Sequence, residues 1–218
     1  MGRHLITAPT DDVVTLEEAK AHLRVTNTDN DDLIEALIAS AVAQIDPAGG
    51  GWLGRALRPQ TWELRLNGFP YCDEPGIELP YPPLISLDSL VYDDGDGVET
   101  AMTVTTEYRV IAGGLGKSIV LPAYNTTWPS SVRSDYETVR VRFTSGYAVT
   151  TPDSLPQPIK QAVLLAVRDL WSLGERNLYL RSESVPGLAS YEWTVSDNAG
   201  KVIRDAVGGL LGVYRVYE

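Results

Sequence analysis

The order of hydrophobic periods constrains this chain more than any other feature. Two short helical patterns near the start give way to a long run of alternation and turn residues, and two apolar helical patterns follow. Helices at both ends of a β stretch predict an α+β fold: a helical bundle built from N- and C-terminal helices, carrying an inserted antiparallel β module. The segments read as 1–58, N-terminal helices of the bundle; 59–150, the β module; 151–175, a long bundle helix; and 176–218, an extended arm with a C-terminal helix.

Thr15 followed by Glu18 forms a capping box, because the hydroxyl can accept from an early N–H while the glutamate reaches back to the cap, so a helix starts near Leu16. The polar run TNTDND interrupts it before a second helix over Asp31–Ile45. Leu33, Ala36, Leu37, Ser40 and Ala41 make one stripe of that helix and Ile34, Ile38, Val42 and Ile45 an adjoining one, which predicts burial on two sides. Asp46-Pro47 and the glycines at 49–51 end it in a tight loop. Three glycines without a Gly-Lys-Ser/Thr ending or a preceding strand do not make a phosphate cradle.

At Gln60 the period changes to two: Trp62, Leu64 and Leu66 alternate with Thr61, Glu63 and Arg65. An apolar run ends at Tyr92 before an Asp-Gly turn of hairpin type. Asp93, Asp94 and Asp96 lack the glutamate and flanking helices of a calcium loop and read as a solvated tip. Tyr108–Val110, Ser118–Leu121 and Thr138–Phe143 add short strands, giving four to six between about 60 and 148. Arg140 and Arg142 alternate with apolar residues, as on any half-buried strand, and are not read as a phosphate site.

The helical period returns with Ile159, Ala162, Val163, Ala166, Val167, Leu170 and Leu173, with Pro156 and Pro158 in the first turn and Gly174 suited to the C-terminal position. Leu164, Leu165 and Trp171 lie off that stripe and suggest a second packed surface. Residues 176–200 read as an extended arm whose Tyr191, Trp193 and Val195 alternate like a strand that a neighbouring protein orders. The last helix places Ile203, Ala206, Val207, Leu210, Leu211 and Tyr214 on one face, although Gly208, Gly209 and Gly212 each cost about 1 kcal/mol relative to alanine.

Chemistry is scarce. The only histidines, His4 and His22, precede residue 23, and no G-x-S-x-G turn exists, so a serine hydrolase is poorly supported. Cys72 is alone, which excludes an intrachain disulfide and fits a reducing cytoplasm; the acids after it disfavour a reactive thiolate. With one cysteine and two histidines no zinc spacing appears, and neither metal nor cofactor is expected. Nothing selects a carboxylate pair for glycosidase work. The reading is of a non-enzyme that works through its surfaces. Neither a leader nor an apolar run long enough to cross a membrane is read, and a formal charge of −11 argues against a surface that neutralises phosphates.

Nine strings, in order, carry a resemblance: TLEEAKAHLRV, the apolar helix after an acidic cluster, GRALRPQTWELRLNGFP, LPYPPLISLDSLVYDDGDG, EYRV, VLPAYNTTWP, VRVRFTSGY, LPQPIKQAVLLAVRDLW and LLGVYRV. Together they resemble the head-tail connector family of tailed bacteriophages and gene-transfer agents. DPAGGGWLGR departs from the family's usual aromatic and acidic stretch before Gly-Arg.

The resemblance implies a virion protein of the neck, made in the host cytoplasm: an adaptor, or head-completion protein, forming a ring of twelve subunits between the portal protein and a stopper or tail-terminator protein. DNA passes through the ring without specific binding. Twelve copies would carry about −132, and such a duct repels phosphate and lets DNA slide. Contacts with the portal or a neighbouring subunit are expected from Tyr191, Trp193 and Val195 of the arm and from Leu210, Leu211 and Tyr214 at the end, with Arg215 pairing an acid. The alternative reading is a carbohydrate- or receptor-binding β module of a virion, suggested by tyrosine and tryptophan in the β region.

Overall fold

A computed structural model describes residues 2–70, 76–150, 153–175, 182–185, 189–192 and 197–217, with backbone alone for 173–175, 182–185, 189–192 and 197–200. Among the described residues the fold is α+β, with four α-helices and antiparallel sheets. It divides into two compact units, one comprising residues 1–12, 43–155 and 214–218 and the other 13–42 and 156–213. Residues 1–12 and 43–58, read from the sequence with the N-terminal helices, fall in the unit that holds the strands.

The first unit holds strands β1 (Gly2–Thr7), β2 (Gln60–Leu66), β3 (Ile77–Leu79), β4 (Leu84–Asp93), β5 (Glu99–Ala101), β6 (Tyr108–Ile111), β7 (Ser118–Pro122) and β8 (Val139–Ser145). Seven of these fall after residue 59, where four to six were expected. The surplus lies in β3 and β5, three residues each and too short to show a period. One sheet runs β1-β2-β8-β4-β5 and the other β3-β7-β6, all neighbours antiparallel.

Register follows the alternation. Trp62 sits opposite Phe143 and Leu64 opposite Val141 on β2–β8, while Leu87 and Leu90 face the same two residues from β4. These side chains share one core with Ile77, Leu79, Tyr108 and Val120 of the second sheet. On the other face the strand polar residues pair. Arg142 and Arg65 both donate to Glu63, at 2.7 and 2.8 Å, and Arg140 donates to Asp93 and Glu99 at 2.7 Å each. Glu63 is buried among these pairs: burial pushes its carboxyl up, and the two guanidinium bonds outweigh that and hold it below the ordinary range. Arg140 likewise holds Asp93 low.

The second unit contains α1 (Leu16–Leu23), Asp31–Val42 of α2 (Asp31–Ile45), α3 (Gln157–Glu175), the hairpin β9 (Ser182–Val185) and β10 (Ala189–Glu192), and α4 (Asp197–Gly212). The capping box forms as read: Thr15 Oγ1 accepts from Glu18 N at 3.2 Å and Glu18 accepts from Thr15 N at 3.0 Å. Arg24 closes α1 in the left-handed conformation. α3 packs against α1 and α4, burying Ile159, Ala162, Val163 and Val167 completely or nearly so. It runs through Gly174 to Glu175, so that glycine does not end the helix. No described helix is long and apolar enough to cross a membrane.

Candidate interaction surfaces

The segment from Leu53 to Gln60 is buried except for its glycine and proline, and it collects the chain at four distant points of the strand unit. Arg58, 3% exposed, donates through Nη1 and Nη2 to both oxygens of Asp153 at 2.9 and 2.8 Å and through Nε to the Asp12 carbonyl at 2.7 Å. Asp46 accepts from Leu57 N at 2.7 Å, from Ala48 N at 2.8 Å and from Gln60 Nε2 at 3.1 Å. Burial raises the Asp46 pKa, and these three donors oppose the rise.

Arg55, 2% exposed, donates to the Tyr214 carbonyl at 2.8 Å, to the Tyr147 hydroxyl at 3.3 Å and to the Leu115 carbonyl at 2.5 Å. Val216 N then donates to the Leu53 carbonyl at 2.9 Å. Gly54 between them is required: its φ is +67° and a Cβ there would lie 2.4 Å from the Val216 carbonyl oxygen. Asp12, Asp46, Asp153 and Tyr214 each lie within about four residues of a place where the chain passes from one unit to the other. This short segment thus anchors all four passages on the strand side.

Fastening the end of the chain creates an exposed aromatic and cationic cluster. Arg215 lies over the rings of Trp52 at 5.3 Å and Tyr217 at 4.7 Å from their centroids, and Trp52 and Tyr217 are 43% and 70% exposed. With Tyr81 they line a cleft of about 410 Å³. A second cleft, about 680 Å³, lies over Phe69 and Trp128, whose rings stack at 4.8 Å and 10°. Tyr124 and Tyr136 are both 82% exposed.

The structure distributes the residues named from sequence unevenly. Leu211, named as an anchor, is fully buried in the chain's own core. The stripe reading put it on a contact face because periodicity does not say which partner covers a face. Leu210 and Tyr214 are half-buried; Tyr214 follows the helix instead of closing it, with its carbonyl held by Arg55. Arg215 is exposed and occupied by aromatic rings where an acid was expected. Tyr191 lies on β10, opposite Glu183, while Trp193 and Val195 lie outside the described residues. Ala206, assigned to the covered stripe, is exposed. Trp52 and Tyr217 were missed: only the conjunction of a buried Arg55 with a flexible-looking glycine run marks them, and neither is visible as a period.

Among the described residues no group of three or more His, Cys, Asp or Glu side chains is placed to hold a metal.

The comparisons agree with this geometry. The model of the phage gp6-like head-tail connector protein family matches residues 13–93, which run from the start of α1 to the end of β4. A search of curated proteins finds no match. Among solved structures, a chain in the virion of a native gene transfer agent particle is similar at 18% identity and TM-score 0.67, covering 100% of this chain and 97% of its own. A chain in the neck of an empty particle computed with C6 symmetry is similar at 19% and 0.67, with the same coverage. One in the neck of the native particle computed with C12 symmetry is similar at 18% and 0.61, again with 100% and 97% covered. The chain is thus similar to the phage gp6-like head-tail connector family over residues 13–93, and it shares a fold from end to end with chains of gene-transfer-agent particles.

Proposed function

We propose that this chain is a structural virion protein of the neck, an adaptor that assembles with copies of itself into a ring between portal and stopper or tail terminator. The observation that carries the reading is the end-to-end fold match to a chain of a gene transfer agent neck, joined to the connector match over 13–93. A ring of twelve agrees with the C12 symmetry used for one such neck. The acidic balance of −11 per chain supports a duct that DNA traverses without being held.

Contact with the portal or the next ring falls to the exposed part of the C-terminal segment, Arg215 and Tyr217 with Trp52. Tryptophan, tyrosine and arginine dominate binding energy at protein interfaces, and here they are prearranged on a fastened chain end. Tyr191 with Trp193 and Val195 of the arm is the second such contact. Antibody labelling of the chain in purified particles tests the placement: label at the junction of head and tail is expected, and label on fibres or on the head surface would overturn it.

The rival reading, a carbohydrate- or receptor-binding module, has one observation in its favour, the Phe69–Trp128 cleft with its exposed tyrosines. Glycan-array binding that is lost in Trp128→Ala would establish it.

A further inference from the structure

The cleft at the fastened chain end holds one charge, and the chain supplies nothing to meet it. Arg215 is the only charged residue among those that line it; the others are Pro47, glycines, Val216 and the rings of Trp52, Tyr81 and Tyr217. Among the described residues Arg215 enters no hydrogen bond or ion pair. Elsewhere in the same unit Arg55, Arg58, Arg65, Arg140 and Arg142 each bind a carbonyl or a carboxylate of the chain. The rings of Trp52 and Tyr217 attract the Arg215 cation at 5.3 and 4.7 Å but offer no lone pair to its N–H donors.

This cation is nonetheless held in place. The residue before it is fixed through its carbonyl by Arg55 and the residue after it through its N–H by Leu53. The same Arg55 guanidinium binds the Leu115 carbonyl, which brings Leu115, 62% exposed, beside the chain end. A prearranged cation within a rim of aromatic and aliphatic surface has the composition of an interface centre, and its charge selects an anion. Holding a phosphate backbone takes clustered cations, whereas here a single one stands on a chain of net charge −11. A carboxylate needs only one guanidinium, because two parallel N–H donors can take both of its oxygens.

We propose that this cleft receives an aspartate or glutamate side chain on an apolar segment of the adjoining neck protein. The carboxylate sits on the Arg215 guanidinium, and its apolar flanks sit on Trp52, Tyr217 and Leu115. The proposal deepens the assignment of the chain end to contact with the portal or the next ring, and it rests on that assignment.

The test uses the full chain in purified particles. Phenylglyoxal, which modifies accessible guanidinium groups, is expected to label Arg215 at least about tenfold more slowly in particles than in the free chain, and equal labelling overturns the proposal. Arg215→Gln removes the charge without removing a described hydrogen bond, so it is expected to leave the circular dichroism unchanged and to lower incorporation about tenfold or more. Incorporation at the wild-type level overturns the proposal. In Arg215→Lys particles a water-soluble carbodiimide, which joins an amine to a carboxylate in contact with it, is expected to link the introduced amine to an aspartate or glutamate of a different protein. A link to a second copy of this chain, or no link, overturns the proposal. Protection of Arg215 that is lost when filled particles are emptied of DNA assigns the site to phosphate and overturns it too. Antibody label away from the junction of head and tail defeats the underlying neck reading; label at the junction with Arg215 fully reactive defeats this proposal alone.

Discussion

Replacing Gly208 and Gly209 together by alanine should stabilise the free chain, and the size of the effect follows from the structure. Both residues lie inside α4, with helix on either side. A helix-interior glycine costs about 1 kcal/mol relative to alanine, since it loses more backbone freedom on ordering. That gain is cancelled where a new methyl collides with a neighbour, but here the nearest atoms lie beyond 4 Å at both positions. The pair should therefore contribute about 2 kcal/mol, which for a chain of this length raises Tm by about 4–8 °C. Thermal unfolding followed by far-UV circular dichroism measures it. An unchanged or lowered Tm would refute the reasoning, showing either that α4 does not melt with the rest or that the space over it is filled in the free chain.

Arg55→Met should release the chain end, so that exchange at the Val216 amide rises by at least tenfold while the core amides of β8 stay protected; a Val216 amide that stays slow would contradict the anchoring role. Arg58→Met removes the guanidinium from the Asp153 carboxylate and the Asp12 carbonyl, costing about 3 kcal/mol in a urea titration, the lower end of the range for breaking a buried pair because Asp153 is 22% exposed. Asp93 and Glu63 bind protons less readily folded than unfolded, so their contribution is complete above the ordinary values of 3.8 and 4.5 and is lost as pH falls through their lower folded values. Asp46 works in the opposite sense, favouring the fold as pH falls from its raised value toward 3.8, so Asp93→Asn should flatten the acid limb of a pH–stability curve and Asp46→Asn should not.

Much of the architecture was legible because it rests on local signals. The capping box at Thr15 and Glu18 starts α1 where expected, and the Asp31–Ile45 helix, the strand at Gln60 and the turn after Asp93 follow from period and from Pro and Gly. β1 was not legible: Leu5 and Ile6 are both exposed on an edge strand, so GRHLIT carries no alternation, and only its pairing with β2 reveals it. The role of Leu53–Gln60 was equally hidden, because Arg55 and Arg58 read as surface residues until carbonyls and a carboxylate from remote sequence gather round them. On α2 the sequence shows two apolar stripes and cannot say that Leu33 stays uncovered in the single chain. A period alone does not distinguish a face left uncovered in the chain from core.

The most direct measurement is a reconstruction of the neck of purified particles containing this chain by electron cryomicroscopy, processed without imposed symmetry. The account predicts a closed ring of copies of this fold, twelve in number, between head and tail, with an open central passage. A neck lacking this fold, or a particle that carries it as a single copy or on its fibres, would contradict the account.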